Sequence, residues 1–121
     1  MSYNRIANTR NSFQGIRKKV LCVCSAGLLR SPTIAWILSN EPFGYNTRAV
    51  GASQEYALIP LEDVHLHWAD EVVFVDINAY KMAAFDYKEQ IDNMPHKILR
   101  IPDQYPFRDD ELVKIATEQL M

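Results

Sequence analysis

The run from Val20 to Leu38, VLCVCSAGLLRSPTIAWIL, constrains the fold more than any other stretch of the chain. Val20–Val23 is a short apolar run with β-branched residues, the pattern of a buried strand. Cys24 to Arg30 is a loop of mostly small residues that opens on a thiol and closes on a guanidinium. Ser31-Pro32-Thr33 reads as a helix start, with a capping hydroxyl followed by proline at the first helical position. A strand that passes through a compact loop into a helix is the first half of a β-α-β unit. It also predicts an anion site, because free backbone N–H groups and the helix dipole converge on the loop.

The remaining chain repeats the alternation. Lys18–Val23 is the first predicted strand, and Pro32–Ser39 is a helix that turns Ile34, Ala35, Ile37 and Leu38 to a core. Asn40 to Gly44 ends it with turn formers and a proline. Asn46–Val50 is a second strand, and Leu61–Trp68 a short helix with Leu61, Val64 and Trp68 at helical spacing. Glu71–Asp76 is a solid apolar run between acids, the pattern of a central strand. Asn78 is expected to cap a helix from Ala79 to about Ile91, which Asn93-Met94-Pro95 breaks. Lys97–Ile101 is a fourth strand, 102–109 an irregular loop, and Asp110–Leu120 a final helix capped by Asp109. Strands alternating with helices imply an α/β domain with a parallel sheet and right-handed crossovers. Ligands in such folds sit beyond the carboxyl ends of the strands.

With 121 residues the chain can bury one core, and residues 18–121 read as a single domain. No apolar run approaches the ~18 residues of a membrane helix, so no membrane partner is expected. The first residues lack the apolar segment of a secretory signal, which points to the cytoplasm. Cys22 and Cys24 stand two apart on one strand and do not form a disulfide framework. Charge is uneven: residues 1–19 hold five bases and no acid, leaving eight bases against fifteen acids in the rest. Residues 1–17 read as a basic N-terminal extension, either solvated or able to attract RNA or a nucleotide. The acidic body argues against nucleic-acid binding by the domain itself.

Cys22 fits a small buried hydrophobe within its strand. Cys24 does not, because it stands where the strand gives way to Ser25, Ala26 and Gly27. Small side chains let amides converge on a ligand, and the helix start together with Ser31 favours a thiolate. Arg30 opens the helix, where the dipole opposes a cation, and so implies an anion between it and the loop. Its planar fork suits bidentate contact with phosphate oxygens. Cys-x5-Arg-Ser therefore combines a nucleophile, an amide cradle and a charge clamp for one tetrahedral dianion. His65 and His67 lie two apart, off a common helical face, and read as a surface pair with no metal site.

VLCVCSAGLLRSPTIA resembles the Cys-x5-Arg-Ser signature of the low-molecular-weight protein tyrosine phosphatases, with its following proline. WADEVVFVD resembles that family's strand ending in aspartate, and IPDQYPFRDDEL its C-terminal loop carrying the general acid. The likeness runs from about residue 18 to the end and is strongest with a short bacterial and phage branch of predicted tyrosine phosphatases. It implies a three-layer fold with a four-stranded parallel sheet, order 2-1-3-4, and helices on both faces. It also implies a phosphomonoester hydrolase, a protein tyrosine phosphatase, with a cysteinyl-phosphate intermediate and no metal or cofactor. Cys24 would be the nucleophile and Asp103 the general acid. The amides of Ser25, Ala26, Gly27, Leu28, Leu29 and Arg30, with the Arg30 fork, would bind the phosphoryl oxygens. Ser31 would hold the thiolate. Tyr105 reads as a pocket wall or a packing residue. The substrate would be a phosphorylated protein or a small phosphomonoester.

Three positions depart from the family pattern. Gly27 stands where the family usually has a loop-bracing asparagine, Leu29 where many members have a second cysteine, and Gln104 where proline commonly follows the general acid. Two alternatives use the same loop: an RNA or nucleotide phosphatase, and a catalytically weak phosphate-binding module. Arsenate reductases of this type need further cysteines. A phosphocysteine carrier would need neither Arg30 nor Asp103.

Overall fold

The structure is a computed structural model, and it describes residues 8–9, 17–25, 30–54, 57, 59–102 and 109–121. The elements in chain order are β1 (Asn8–Thr9), β2 (Lys19–Cys24), α1 (Arg30–Ser39), β3 (Asn46–Gly51), α2 (Asp63–Trp68), β4 (Glu71–Phe74), α3 (Ile77–Asp92), β5 (His96–Ile98) and α4 (Asp110–Leu120). Strand order is β1-β3-β2-β4-β5. β3, β2, β4 and β5 are all parallel neighbours, which is the expected 2-1-3-4 order. β1 adds an antiparallel edge, with Asn8 opposite Arg48 and Thr9 opposite Thr47. These two residues belong to the stretch read as an N-terminal extension.

The central strands are apolar throughout because helices cover both faces. α1 packs on β2 and β3 and against α4, while α2 and α3 pack on the other side. Val20 to Val23 and Val72 to Val75 are buried at the middle of the sheet with Ile34, Ile91, Ile101 and Leu112 around them. Between α1 and β3 the chain reverses at Asn40–Gly44, where Gly44 takes the left-handed region (φ +63°) and its N–H bonds Asn40 O at 2.9 Å.

Two helix starts differ from expectation. α1 begins at Arg30, so Ser31 lies inside the helix and is not its cap; its hydroxyl is directed elsewhere, as described below. α3 is capped by Asp76, not Asn78: Asp76 Oδ1 accepts the Ala79 N–H at 2.8 Å. A carboxylate outcompetes an amide here because it also meets a buried cation, which local sequence does not display. α4 starts as expected, with Asp109 accepting from Glu111 N and Leu112 N.

Candidate active site

The carboxyl ends of β2, β3 and β4 meet at one edge of the sheet. Cys24 is the last residue of β2 and is buried. Its carbonyl accepts the Ala52 N–H at 2.7 Å, and Ser25 O accepts the Ser53 N–H at 2.8 Å, so the start of the loop is tied to the end of β3. Cys24 Sγ lies 3.1 Å from Ser31 Oγ. Ser31 Oγ also has Val50 O within 3.4 Å, a long contact for a hydroxyl donor. Either group can donate across the Cys24–Ser31 contact, and a Ser31 hydroxyl turned to the sulfur would stabilise a thiolate by hydrogen bonding.

Arg30 is the first residue of α1 and only 3% exposed. A buried guanidinium at a helix N-terminus works against both desolvation and the dipole, so it needs compensating acceptors. It has them: Arg30 Nη1 donates to Asp76 Oδ2 at 2.7 Å and to Ile101 O at 2.8 Å. Asp76 thus uses one oxygen to cap α3 and the other to hold Arg30. Ile101 in turn donates its N–H to Val75 O at 3.1 Å. The guanidinium is thereby oriented by the N-cap of α3 and by the Ile101 carbonyl.

Of the residues predicted to form the site, Cys24, Ser25, Arg30 and Ser31 come together at this edge. Ala26, Gly27, Leu28, Leu29, Asp103 and Tyr105, with Gln104, lie outside the described residues. Asp76 was not among the predicted site residues. Its signal was present in the strand read as ending in aspartate, but the pairing with Arg30 spans 46 positions and depends on sheet order. Cys22 is fully buried, and burial, reinforced by the neighbouring Cys24, pushes its thiol well up. It stays protonated and is no rival nucleophile.

The histidines do other work. His65 Nδ1 accepts the Glu62 N–H at 2.9 Å and completes a capping box for α2. His67 Nδ1 is 3.6 Å from Asp63 Oδ2 on the exposed face. Among the described residues, no group of three or more His, Cys, Asp or Glu side chains is arranged to hold a metal ion. Among the same residues, no helix is long and apolar enough to cross a membrane.

No protein-family model and no curated protein matches the sequence. Solved structures do match the coordinates. SP-PTP, a low-molecular-weight protein tyrosine phosphatase from Streptococcus pyogenes, superposes with a TM-score of 0.66 at 15% identity, covering 85% of this chain and 91% of that one. The YwlE arginine phosphatase from Geobacillus stearothermophilus gives 0.62 at 20% identity, with 85% of each chain covered. This is the low-molecular-weight phosphatase fold. Vibrio vulnificus Wzb, solved with benzylphosphonate, matches it too, at 0.64 and 14% identity over 83% of this chain and 90% of that one. The fold sets Cys24 and Arg30 at the edge where α/β proteins of this topology take their ligands.

Proposed function

We propose that this chain is a phosphomonoester hydrolase that works through a cysteinyl-phosphate on Cys24, with phosphotyrosine proteins as its first candidate substrates. The observation that carries the reading is the buried pairing at the sheet edge. A thiol lies 3.1 Å from a hydroxyl, beside a guanidinium fixed by a carboxylate and a carbonyl. In the proposed first step the Cys24 thiolate forms an S–P bond as the P–O bond to the leaving group breaks. Asp103 gives its proton to that leaving oxygen. Amides from Ser25 to Arg30 and the Arg30 fork stabilise the charge on the equatorial oxygens. Water then attacks phosphorus, Asp103 takes its proton, and the S–P bond breaks to return the thiolate and inorganic phosphate.

Support for Asp103 comes from its flanks. Ile101 is buried and bonded to Arg30 and Val75, and Asp109 caps α4. The structural neighbours named as tyrosine and arginine phosphatases support the general activity. A reduced cytoplasmic setting suits a mechanism that needs a free thiol. The RNA or nucleotide alternative rests on the basic stretch at residues 1–19 alone.

The test is phosphate release from an aryl phosphate by wild type, Cys24→Ser and Asp103→Ala, followed by a panel of phosphotyrosine, phosphoarginine and nucleotide substrates. Cys24→Ser is expected to abolish turnover, and Asp103→Ala to lower it roughly 10²–10³-fold. Wild type that binds phosphate without releasing it from any ester would establish the binding module instead.

A further inference from the structure

Just after β5 the backbone is held by a side chain in the manner of a neighbouring strand. Leu99 N–H donates to Phe74 O at 2.8 Å and Ile101 N–H to Val75 O at 3.1 Å, so both turn toward β4. Backbone groups of an extended segment alternate sides, so the N–H and C=O of Arg100, between them, turn outward. Gln119 of α4 meets both. Arg100 N–H donates to Gln119 Oε1 at 2.6 Å, and Gln119 Nε2 donates to Arg100 O at 3.0 Å. A side-chain amide carries the same donor and acceptor as a peptide group, which is why one residue can do this.

The helix places Gln119 for the task. Leu112, Ala116 and Leu120 are buried at spacings of four, and α4 packs against α1, whose first residue is Arg30. Gln119 and Arg100 are themselves exposed. Water could satisfy either group there, so the double bond between them adds orientation more than stability.

That orientation reaches the candidate active site within one peptide. The Arg100–Ile101 peptide is held at both ends, its oxygen by Gln119 and its N–H by Val75 O. The next peptide supplies the Ile101 carbonyl that accepts from Arg30 Nη1 at 2.8 Å. Its nitrogen belongs to Pro102 and has no hydrogen with which to anchor it. Proline also confines Ile101 to extended conformations. The direction of the Ile101 carbonyl therefore follows from the peptide plane before it. We propose that Gln119 is a positioning residue for Arg30: it fixes the Arg100–Ile101 peptide and so aims the Ile101 carbonyl at the guanidinium. The proposal rests on the reading above only in taking Arg30 as the phosphate clamp. Asp76 Oδ2 holds the same nitrogen at 2.7 Å, so loss of Gln119 loosens the clamp without releasing it.

The test compares Gln119→Met with Leu120→Val in the full chain. Methionine keeps the length and helix propensity of glutamine and loses both bonds to Arg100. Leu120→Val weakens the packing of α4 and leaves the Gln119 amide in place. Inorganic phosphate affinity is measured by calorimetry, and the Arg30 guanidinium resonances by nitrogen NMR. Gln119→Met is expected to weaken phosphate binding about fivefold and to shift the Arg30 signals. Leu120→Val should lower stability and change neither. Unaltered phosphate affinity and Arg30 signals in Gln119→Met overturn the proposal. Equal losses in both variants overturn it too, because α4 would then act through stability alone. The two readings fail separately. Phosphate binding that depends on Gln119, without release of phosphate from an aryl ester, removes the hydrolase and keeps the positioning role. Ester hydrolysis with the same KM in wild type and Gln119→Met does the reverse, and wild type that binds no phosphate overturns both.

Discussion

Each end of the parallel sheet holds an ion pair, and the two are built differently. At the carboxyl end, the Arg30 guanidinium is buried and meets Asp76 and the Ile101 carbonyl through one nitrogen. At the amino end, Lys18 Nζ lies 2.6 Å from Glu71 Oε1, but the lysine side chain is 42% exposed. Its ammonium sits over the Tyr45 ring at 5.4 Å, beside a cavity of only about 50 Å³ that Leu38, Phe43 and Leu120 help to close. Acceptors from two separate segments, the Asp76 carboxylate and the Ile101 carbonyl, fix the orientation of the arginine. The lysine snorkels, covering the start of the strands while keeping its charge near water. At the amino end, long side chains close over the start of the strands.

Asp76→Ala should break this contrast most severely. It strands a buried guanidinium and removes the α3 cap, a loss of about 3 kcal/mol in denaturant unfolding. Turnover of an aryl phosphate should fall by at least ~10²-fold as the charge clamp loses its orientation. Retained turnover would show that the guanidinium keeps its aim without Asp76.

Lys18→Met probes the other end and should cost no more than about 1 kcal/mol, with kcat unchanged. Hydrogen bonding to Glu71 raises the Lys18 pKa, against a smaller opposing effect of partial burial. The pair therefore contributes fully below the ordinary lysine value of 10.5 and is lost as pH rises through the raised one. Stability curves of wild type and Lys18→Met should converge only in that alkaline range. A difference that vanishes near neutrality would mean the pair does not act.

The smallest effect is expected at α2. Burial, with help from Arg48 and against Glu62, lowers the His65 pKa from its ordinary 6.5. The folded chain favours the neutral ring that accepts from Glu62 N, so the unfolded chain takes up a proton first as pH falls. Stability should decline below pH 6.5, and His65→Gln should flatten that decline in urea midpoints measured on either side of it. Parallel wild-type and mutant slopes would exclude His65 as the titrating group.

Much of this was legible in the residue pattern. The apolar runs at Val20–Val23 and Glu71–Asp76, alternating with helical stretches, led to a parallel sheet, and the Cys24-to-Ser31 spacing marked one edge of it. Errors arose where a side chain serves two partners. Ser31 looks like a helix cap by position, but its hydroxyl meets Cys24 Sγ inside α1. Asn78 looks like a cap by residue type, but Asp76 takes that role while holding Arg30. Asn8–Thr9 shows no strand pattern, because a two-residue edge has too little sequence for a period to register.

By itself, the sequence determined the four parallel strands and the helices between them, which faces they bury, and where a thiol and a guanidinium flank a small-residue loop. These are local properties, set by side-chain period, propensity and spacing within a few turns of chain. Only the tertiary structure decided which acid meets Arg30 and that the Ile101 carbonyl closes the same contact. Those pairings join residues 46 and 71 positions apart. Strand order and crossover direction bring them together, and neither is written in the neighbourhood of either partner.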